Sequence, residues 1–449
     1  MKKIINYLSL ILIIAISISF VSCKKKEQTL TNYLFNEGYA ALSYRGNWGF
    51  LNKNGEIFVT HDYDSATPFQ DGYAILSKAG QYFVINQNGD GVTQGYLNIM
   101  YLGSGYFAFY KDKAYGVINA KDKVIIENKY VSVESYSNNV FVCKQNGFYG
   151  LVNKRGKEVS EFIYDSIEEF HYGYALAKRG EYYGFLNNDG KEIIPFDYTK
   201  ASHFVGKYAY VETKDGNKYI ITNRNKIAFE IPSGYSLETF DEKYIVITNN
   251  ETGKYSLYNY NNKELISDSS RIIIKDDTKC SYIASFDAVT YHDVNTYTFN
   301  IYRYSNLRKL ASSKDVDIDY KIYNYYIDYV TSQLYLRYLN DDGSKSIIYC
   351  FDGNKLEMTE IVTTYYIRSI SNGIVYAVDD NGLPYMINGQ VCISQGFNVL
   401  TISFITTDGY IIYSDGTWYG AFDKTGNEVF KCDYSHIKTL YTINSWYFY

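Results

Sequence analysis

Short apolar and aromatic runs alternate with polar turns along nearly the whole chain. Gly72–Leu76 (GYAIL), Trp48–Leu51 (WGFL) and Glu56–Val59 (EIFV) each read as a strand bounded by turn residues. Tyr297–Tyr304 (YTFNIYRY) and Leu334–Tyr338 (LYLRY) alternate in the same two-residue rhythm. No strong helical period appears outside the N-terminal leader. Ser166-Ile167-Glu168-Glu169 has the form of a helix-opening capping box. The aligned Ser65-Ala66-Thr67-Pro68 carries Pro where Glu169 stands, so both are read as a loop or short strand.

The pattern repeats. Tyr63–Ala74 (YDSATPFQDGYA) aligns without a gap to Tyr164–Ala175 (YDSIEEFHYGYA), matching at 7 of 12 positions with an offset of 101. A hairpin segment recurs at Gly46–Glu56, Gly147–Glu158, Gly180–Glu192 and Asp415–Glu428. Asn52, Asn86, Asn119, Asn153, Asn187, Asn223 and Asn259 mark successive copies at steps of 34, 33, 34, 34, 36 and 36. The register blurs afterwards and returns at Asn388 and Asp423, with degenerate copies near Arg303 and Asp352, which makes about eleven units of about 35 residues. Asn-x-x-Gly suits a type I turn closed by a residue at positive φ. Each unit is three or four short strands, and Phe69 is placed to anchor the next unit. One unit cannot bury its aromatic face alone, but stacked neighbours can.

The Trp48-Gly49, Tyr149-Gly150 and Tyr183-Gly184 pairs, the Asn-x-x-Gly turns and the F-x-x-G-Y-A element resemble the WG-repeat (KWG) family. The resemblance covers Gly38 to about Glu264 and returns at Asp415–Glu428. That family occurs in many bacterial lipoproteins, mostly of unknown function, so it implies architecture more than activity. The expected fold is all-β: tandem hairpin repeats in a propeller-like arrangement of one or two rings, with an open β-solenoid as the alternative. Eleven blades exceed the usual four to eight, which favours two rings split near residue 265.

Composition adds little to the fold. The 449 residues are 46% apolar, with 53 Tyr, 25 Phe and only 4 Pro, which excludes global disorder and favours strands. An A+T-rich genome would also enrich Tyr. Met1–Ser22 reads as an export signal: Lys2-Lys3, then the apolar Leu8–Phe20. Val21-Ser22-Cys23 resembles a bacterial lipobox, with Phe20 in place of the more usual Leu. The resemblance implies lipidation of Cys23, and Lys24 after it favours the outer membrane; ordinary signal-peptidase cleavage is the alternative. Residues 23–30 are then a tether, 31–265 the WG-repeat domain and 266–449 a degenerate β-repeat domain. Losing Lys2 and Lys3 moves the net charge from −5 to −7, and no basic stripe argues for nucleic acid.

Candidate chemistry is sparse. Cys143, Cys280, Cys350, Cys392 and Cys432 show no CxxC spacing, and most read as small buried hydrophobes, although one pair could bridge. His61, His171, His203, His292 and His436 stand far apart in the sequence. Asp315, Asp317 and Asp319 share a strand face and would hold Ca²⁺ or, more plainly, charge an exposed edge. Gly89-Asp90-Gly91 with Gly95 falls at a hairpin turn rather than a dinucleotide loop. Ser414–Trp418 resembles a compressed Asp box, and no glycosidase role follows from it. Trp48, Tyr149 and Tyr183 are expected to pack between repeats. No catalytic, metal or cofactor residue is assigned. The expected role is a non-catalytic, lipid-anchored surface binding a protein or glycan. The alternatives are a polysaccharide-processing enzyme with a central site and a purely structural envelope lipoprotein.

Overall fold

A computed structural model describes residues 29–444, apart from 138, 279, 292–293, 316–319, 329–330, 341–345, 363–365, 372, 379–383, 389–390, 393–400 and 439. Cys23 with the leader, His292, Asp317 and Asp319 lie outside the described residues. The described chain is all-β, built of antiparallel strands with one single-turn 3-10 segment at Ser313–Asp315. Ser166–His171 is a strand, as the proline in its aligned copy implied.

Eleven units are present among the described residues, numbered along the chain, with second strands beginning at Tyr39, Tyr73, Tyr106, Val140, Tyr174, Tyr208, Tyr244, Tyr282, Leu334, Ile374 and Ile411. A representative one runs Asn98–Gly103, Tyr106–Lys111, Ala114–Asn119 and Val124–Tyr130, each strand antiparallel to the last. Units 5 and 6 share the long strand Glu192–Ala201, and units 8 and 9 are joined through Tyr297 and Ile322.

The turn marker has a direct physical role. Asn52 Oδ1 accepts the backbone N–H groups of Asn54 and Glu56, both at 3.0 Å. Asn86, Asn119, Asn153, Asn187 and Asn259 do the same two and four residues ahead, as does Asp423. This satisfies N–H groups that the tight turn would otherwise leave to water. In unit 6 the position belongs to Thr222, not Asn223. Thr222 Oγ1 accepts from Arg224 and Lys226 at 3.4 and 3.2 Å, while Asn223 donates to the Tyr174 hydroxyl.

The glycine of the WG pair also has a local cause. Opposite Gly49 the fourth strand bulges: Trp48 pairs with Tyr63, but Phe50 already pairs with Val59. A Cβ on Gly49 would lie 2.6 Å from the Val59 carbonyl oxygen. The same shift occurs opposite Gly116, Gly184 and Gly420. In unit 6, Tyr219 stands in place of the glycine and pairs with Glu230, and no shift separates it from Ile220. Thus the small residue permits the bulge.

Large side chains fill the space between units. Tyr39 packs on Phe69 at 5.0 Å, Tyr73 on Phe107 at 5.7 Å, Tyr106 on Tyr136 at 4.5 Å and Tyr174 on Phe204 at 4.9 Å, each time unit to next unit. Hydroxyls from the end of one unit reach the next: Tyr96 to Asp122, Tyr130 to Glu158, Tyr164 to Glu192 and Tyr198 to Asn225. Burial is the main reason the Tyr96, Tyr130 and Tyr164 hydroxyls are pushed up to about 12, so they remain donors. Phe69 is fully buried with Phe50 of the preceding unit, as its anchoring role required.

These interfaces form a cycle. Buried clusters join units 1 and 2, 2 and 3, and so on through 10 and 11. An eleventh cluster, with Leu34, Leu42 and Leu51 against Ile412 and Ala421, joins unit 11 to unit 1. The packing is continuous through residue 265, where Leu257 of unit 7 meets Ile272 and Ile283 of unit 8. The eleven units therefore close in one propeller-like ring. The two rings suggested by the usual blade number do not form, because the chain's end returns to its own start rather than to unit 7.

Closure is by strand exchange between the two ends. His436–Lys438 pairs with Ala41–Ser43 and serves as the first strand of unit 1. Leu440–Asn444 then pairs with Thr29–Tyr33. First strands of neighbouring units approach each other, as Asn98–Gly103 does Ser132–Ser137 and Ser132–Ser137 does Ser166–His171. Fourth strands make no comparable approach among the described residues. The first strands therefore line the inside of the ring.

Candidate functional site

In a meander of four antiparallel strands, the turns after the first and third strands emerge at the same end. Every unit therefore presents these two turns on one face of the ring, and three clefts open there between units.

The first cleft lies on the ring seam and has a volume of about 430 Å³. Tyr33, Phe35, Glu37 and Lys53 face Asp408 and Tyr410 across it. Asp408 holds the seam: its two carboxylate oxygens accept the N–H groups of Leu34 and Phe35, both at 3.0 Å. Phe35 and Tyr410 meet edge to face at 4.9 Å.

A second, apolar cleft of about 350 Å³ lies between units 2 and 3, lined by Pro68, Tyr73, Ile99, Met100, Tyr101 and Phe107 among others. Its local cause is Pro68. The first strand of unit 2 is only Ser65–Ala66, whereas that of unit 3 spans Asn98–Gly103. Proline lacks the N–H that would extend the ladder, so the wall is cut short there. Tyr101 donates its hydroxyl to Asp71, and burial is the first cause raising the pKa of that hydroxyl.

The third cleft, again about 430 Å³, lies at the corner of units 7, 8 and 9 and is polar. Lys243 stands on the first turn of unit 7, and Asp276, Asp277, Thr278, Cys280 and Ser281 on the first turn of unit 8. Arg303, Tyr304 and Ser305 stand on the third-strand turn of unit 8, and Asp352, Gly353 and Asn354 on the same turn of unit 9. The Lys243 ammonium lies 4.7 Å from the Tyr304 ring centroid. Ser281 Oγ bridges the loop, accepting the Asp277 N–H at 3.2 Å and lying 3.0 Å from Asp276 Oδ1. Asp352 Oδ1 accepts the N–H groups of Asn354 and Lys355 at 2.9 and 3.0 Å. Partial burial opposes ionisation of Asp352, but these N–H groups outweigh it and hold its carboxyl below the ordinary range. Burial raises Asp241 behind the cleft, although it accepts N–H bonds from Lys243 and Tyr244.

The recurrent motif residues are thus accounted for by the fold. The profile of the WG containing repeat matches residues 48–82, 115–147, 149–183 and 183–219. This chain contains WG repeats. No curated protein matches it. Among solved structures it is similar to Kluyveromyces lactis Hsv2, at 10% identity and a TM-score of 0.27, over 57% of this chain and 93% of that one. It is similar to BamB from Moraxella catarrhalis at 11% and 0.25, over 72% and 96%. It is similar to the WD40 beta propeller domain of Doa1 at 12% and 0.23, over 72% and 96%.

The WG-repeat aromatics are packing residues. Trp48, Tyr149 and Tyr183 are half-buried against clusters between units. Lysines cover their outer faces: Lys438 over Trp48, Lys144 over Tyr149 and Lys178 over Tyr183, at 4.7 to 5.4 Å. Ser414–Trp418 forms an ordinary hairpin turn in which Asp415 Oδ1 accepts from Thr417 and Trp418. Gly89 likewise sits in a turn, at φ 83°. Cys143, Cys280 and Cys350 are buried, Cys432 is half-buried, and all four are free thiols. Burial pushes Cys350 up to about 11, so it is inert as a nucleophile.

The ring does gather two of the dispersed histidines. His171 and His203, at the first turns of units 5 and 6, lie with ring centroids 4.3 Å apart, and Glu168 is 3.6 Å from His203 Nε2. Burial, then the neighbouring imidazole, lowers His171 to about 4. No group of three ligating side chains converges for a metal among the described residues. The cleft residues Asp408, Lys243, Asp276, Arg303 and Tyr101 were missed from sequence. Their only common signal is position: each flanks the first or third-strand turn of its unit, or lies just before it.

Proposed function

We propose that this WG-repeat protein is a lipid-anchored envelope component that binds a protein or glycan on the turn face of its ring and catalyses no reaction. What supports the reading is the gathering of three inter-unit clefts on one end of the strands, each lined by aromatic or hydrogen-bonding side chains from different units. Ligand sites favour such concave junctions between structural units. Cys23 is the anchoring residue in this reading, and the outer membrane is the compartment.

The test compares the full-length protein with a variant altered in all three clefts, Tyr410→Ala, Tyr101→Ala and Arg303→Gln together. Both are run over a glycan array and cross-linked to envelope proteins in cells. Ligands retained by the natural protein and lost by the triple variant support the reading. Identical retention by both sinks it. For the anchor, palmitate labelling should vanish with Cys23→Ala; persistent labelling refutes it.

A further inference from the structure

We infer that the polar cleft of units 7, 8 and 9 is a saccharide site and that its ligand is an uncharged sugar. This rests on the binding role proposed above and names the ligand class.

The argument is one of complementary hydrogen bonding. Asp276, Asp277 and Asp352 offer only acceptors when ionised, and Lys243 and Arg303 offer only donors. Thr278, Ser305 and Asn354 offer both. An anionic ligand entering this cleft faces three carboxylates. A cationic one faces an ammonium and a guanidinium. An apolar one strands polar groups on every side. A peptide would need apolar pockets for its side chains, and Cys280, Gly353 and the buried Tyr304 are the least polar of the lining residues. A hydroxyl is donor and acceptor at once, so a ligand bearing several can answer a carboxylate and a cation side by side. The volume of about 430 Å³ lies in the range of small-ligand sites.

The cleft is also held rather than incidental. Asp352 is fixed by two backbone N–H groups, and Ser281 ties the Asp276–Ser281 loop to itself. Three units contribute, so the site exists only when the ring is assembled.

Saturation-transfer NMR on the full-length protein tests this with maltotriose, chitotriose and mannotriose, against trigalacturonate and fully deacetylated chitotriose as charged controls. At least one neutral trisaccharide should receive saturation more strongly than either control. Asp352→Asn retains the turn-holding amide oxygen that Asn52 and Asn86 use in their units, and so keeps the fold while removing the charge. It and Arg303→Gln should each weaken binding about tenfold, the loss of one charge-assisted hydrogen bond, with the melting temperature unchanged. No transfer to any neutral sugar overturns the inference, as does stronger transfer to a charged control or equal transfer in both variants. Transfer lost only with Tyr101→Ala or Tyr410→Ala also overturns it, yet leaves the binding role standing.

Discussion

The Lys438 ammonium sits 5.1 Å from the ring centroid of Trp48 and donates to the Ala66 carbonyl oxygen at 3.0 Å. The His436–Lys438 strand thus covers the first WG tryptophan and reaches into unit 2. Lys438→Met keeps the stem but removes both contacts, and at this exposed position should cost about 1 kcal/mol in denaturant unfolding. Truncation after Tyr434 removes the whole strand and bares the Ala41–Ser43 edge. Size exclusion should then show self-association, because an uncovered strand edge templates pairing. A monodisperse truncated chain of unchanged stability would refute closure by strand exchange.

The glycine after the aromatic separates two costs. Gly184→Ala places a Cβ 2.8 Å from both the Ile194 carbonyl oxygen and the Phe196 ring, so the bulged strand must move, at about 2–3 kcal/mol. Gly80 is at φ 75° with nothing near its Cβ, and Gly80→Ala should cost only the left-handed strain, about 1–2 kcal/mol. Equal urea midpoints for Gly184→Ala and the natural protein would refute the close-approach account.

The unit was readable in the sequence because its marks are local. Asn52 holds its own turn and Gly49 faces its own hairpin, so spacing alone exposes both. Closure was not readable in the same way, although its signal was there. Tyr434-Ser435-His436 aligns with Tyr63-Asp64-Ser65, and Phe35–Ala40 supplies F-x-x-G-Y-A, so each end of the chain holds half a unit. Only packing shows that the halves meet. The His171–His203 contact and the polar cleft depend on which turns become neighbours, and one-dimensional spacing does not carry that. The shift from Asn223 to Thr222 shows the limit of residue type: a hydroxyl performs the amide's task one position earlier.

Thr222 performs that task less well. Its oxygen accepts at 3.4 and 3.2 Å, where Asn187 accepts at 3.0 and 2.9 Å. Thr222→Asn should therefore stabilise by about 0.5 kcal/mol, and Asn187→Ala should cost about 1 kcal/mol. Calorimetric melting of the two variants beside the natural protein checks both signs. A destabilising Thr222→Asn would show that shape, not the cap, selects threonine there.

Acid should loosen the junction of units 5 and 6 through His171. Its folded value is lowered to about 4 from the ordinary 6.5, first by burial and then by His203, against the opposing pull of Glu168. Between these two values the unfolded chain binds the proton that the folded chain refuses, so stability falls as pH falls. The contribution is complete above about pH 6.5 and is lost progressively down to about pH 4. His171 is half exposed, so solvent screening makes the effect modest. His171→Gln removes the titrating group and keeps a polar side chain on the turn. Urea midpoints at pH 8, 6 and 5 should decline less steeply in this variant than in the natural protein. Parallel declines would mean that other groups carry the acid response and that the imidazole pair contributes nothing to it.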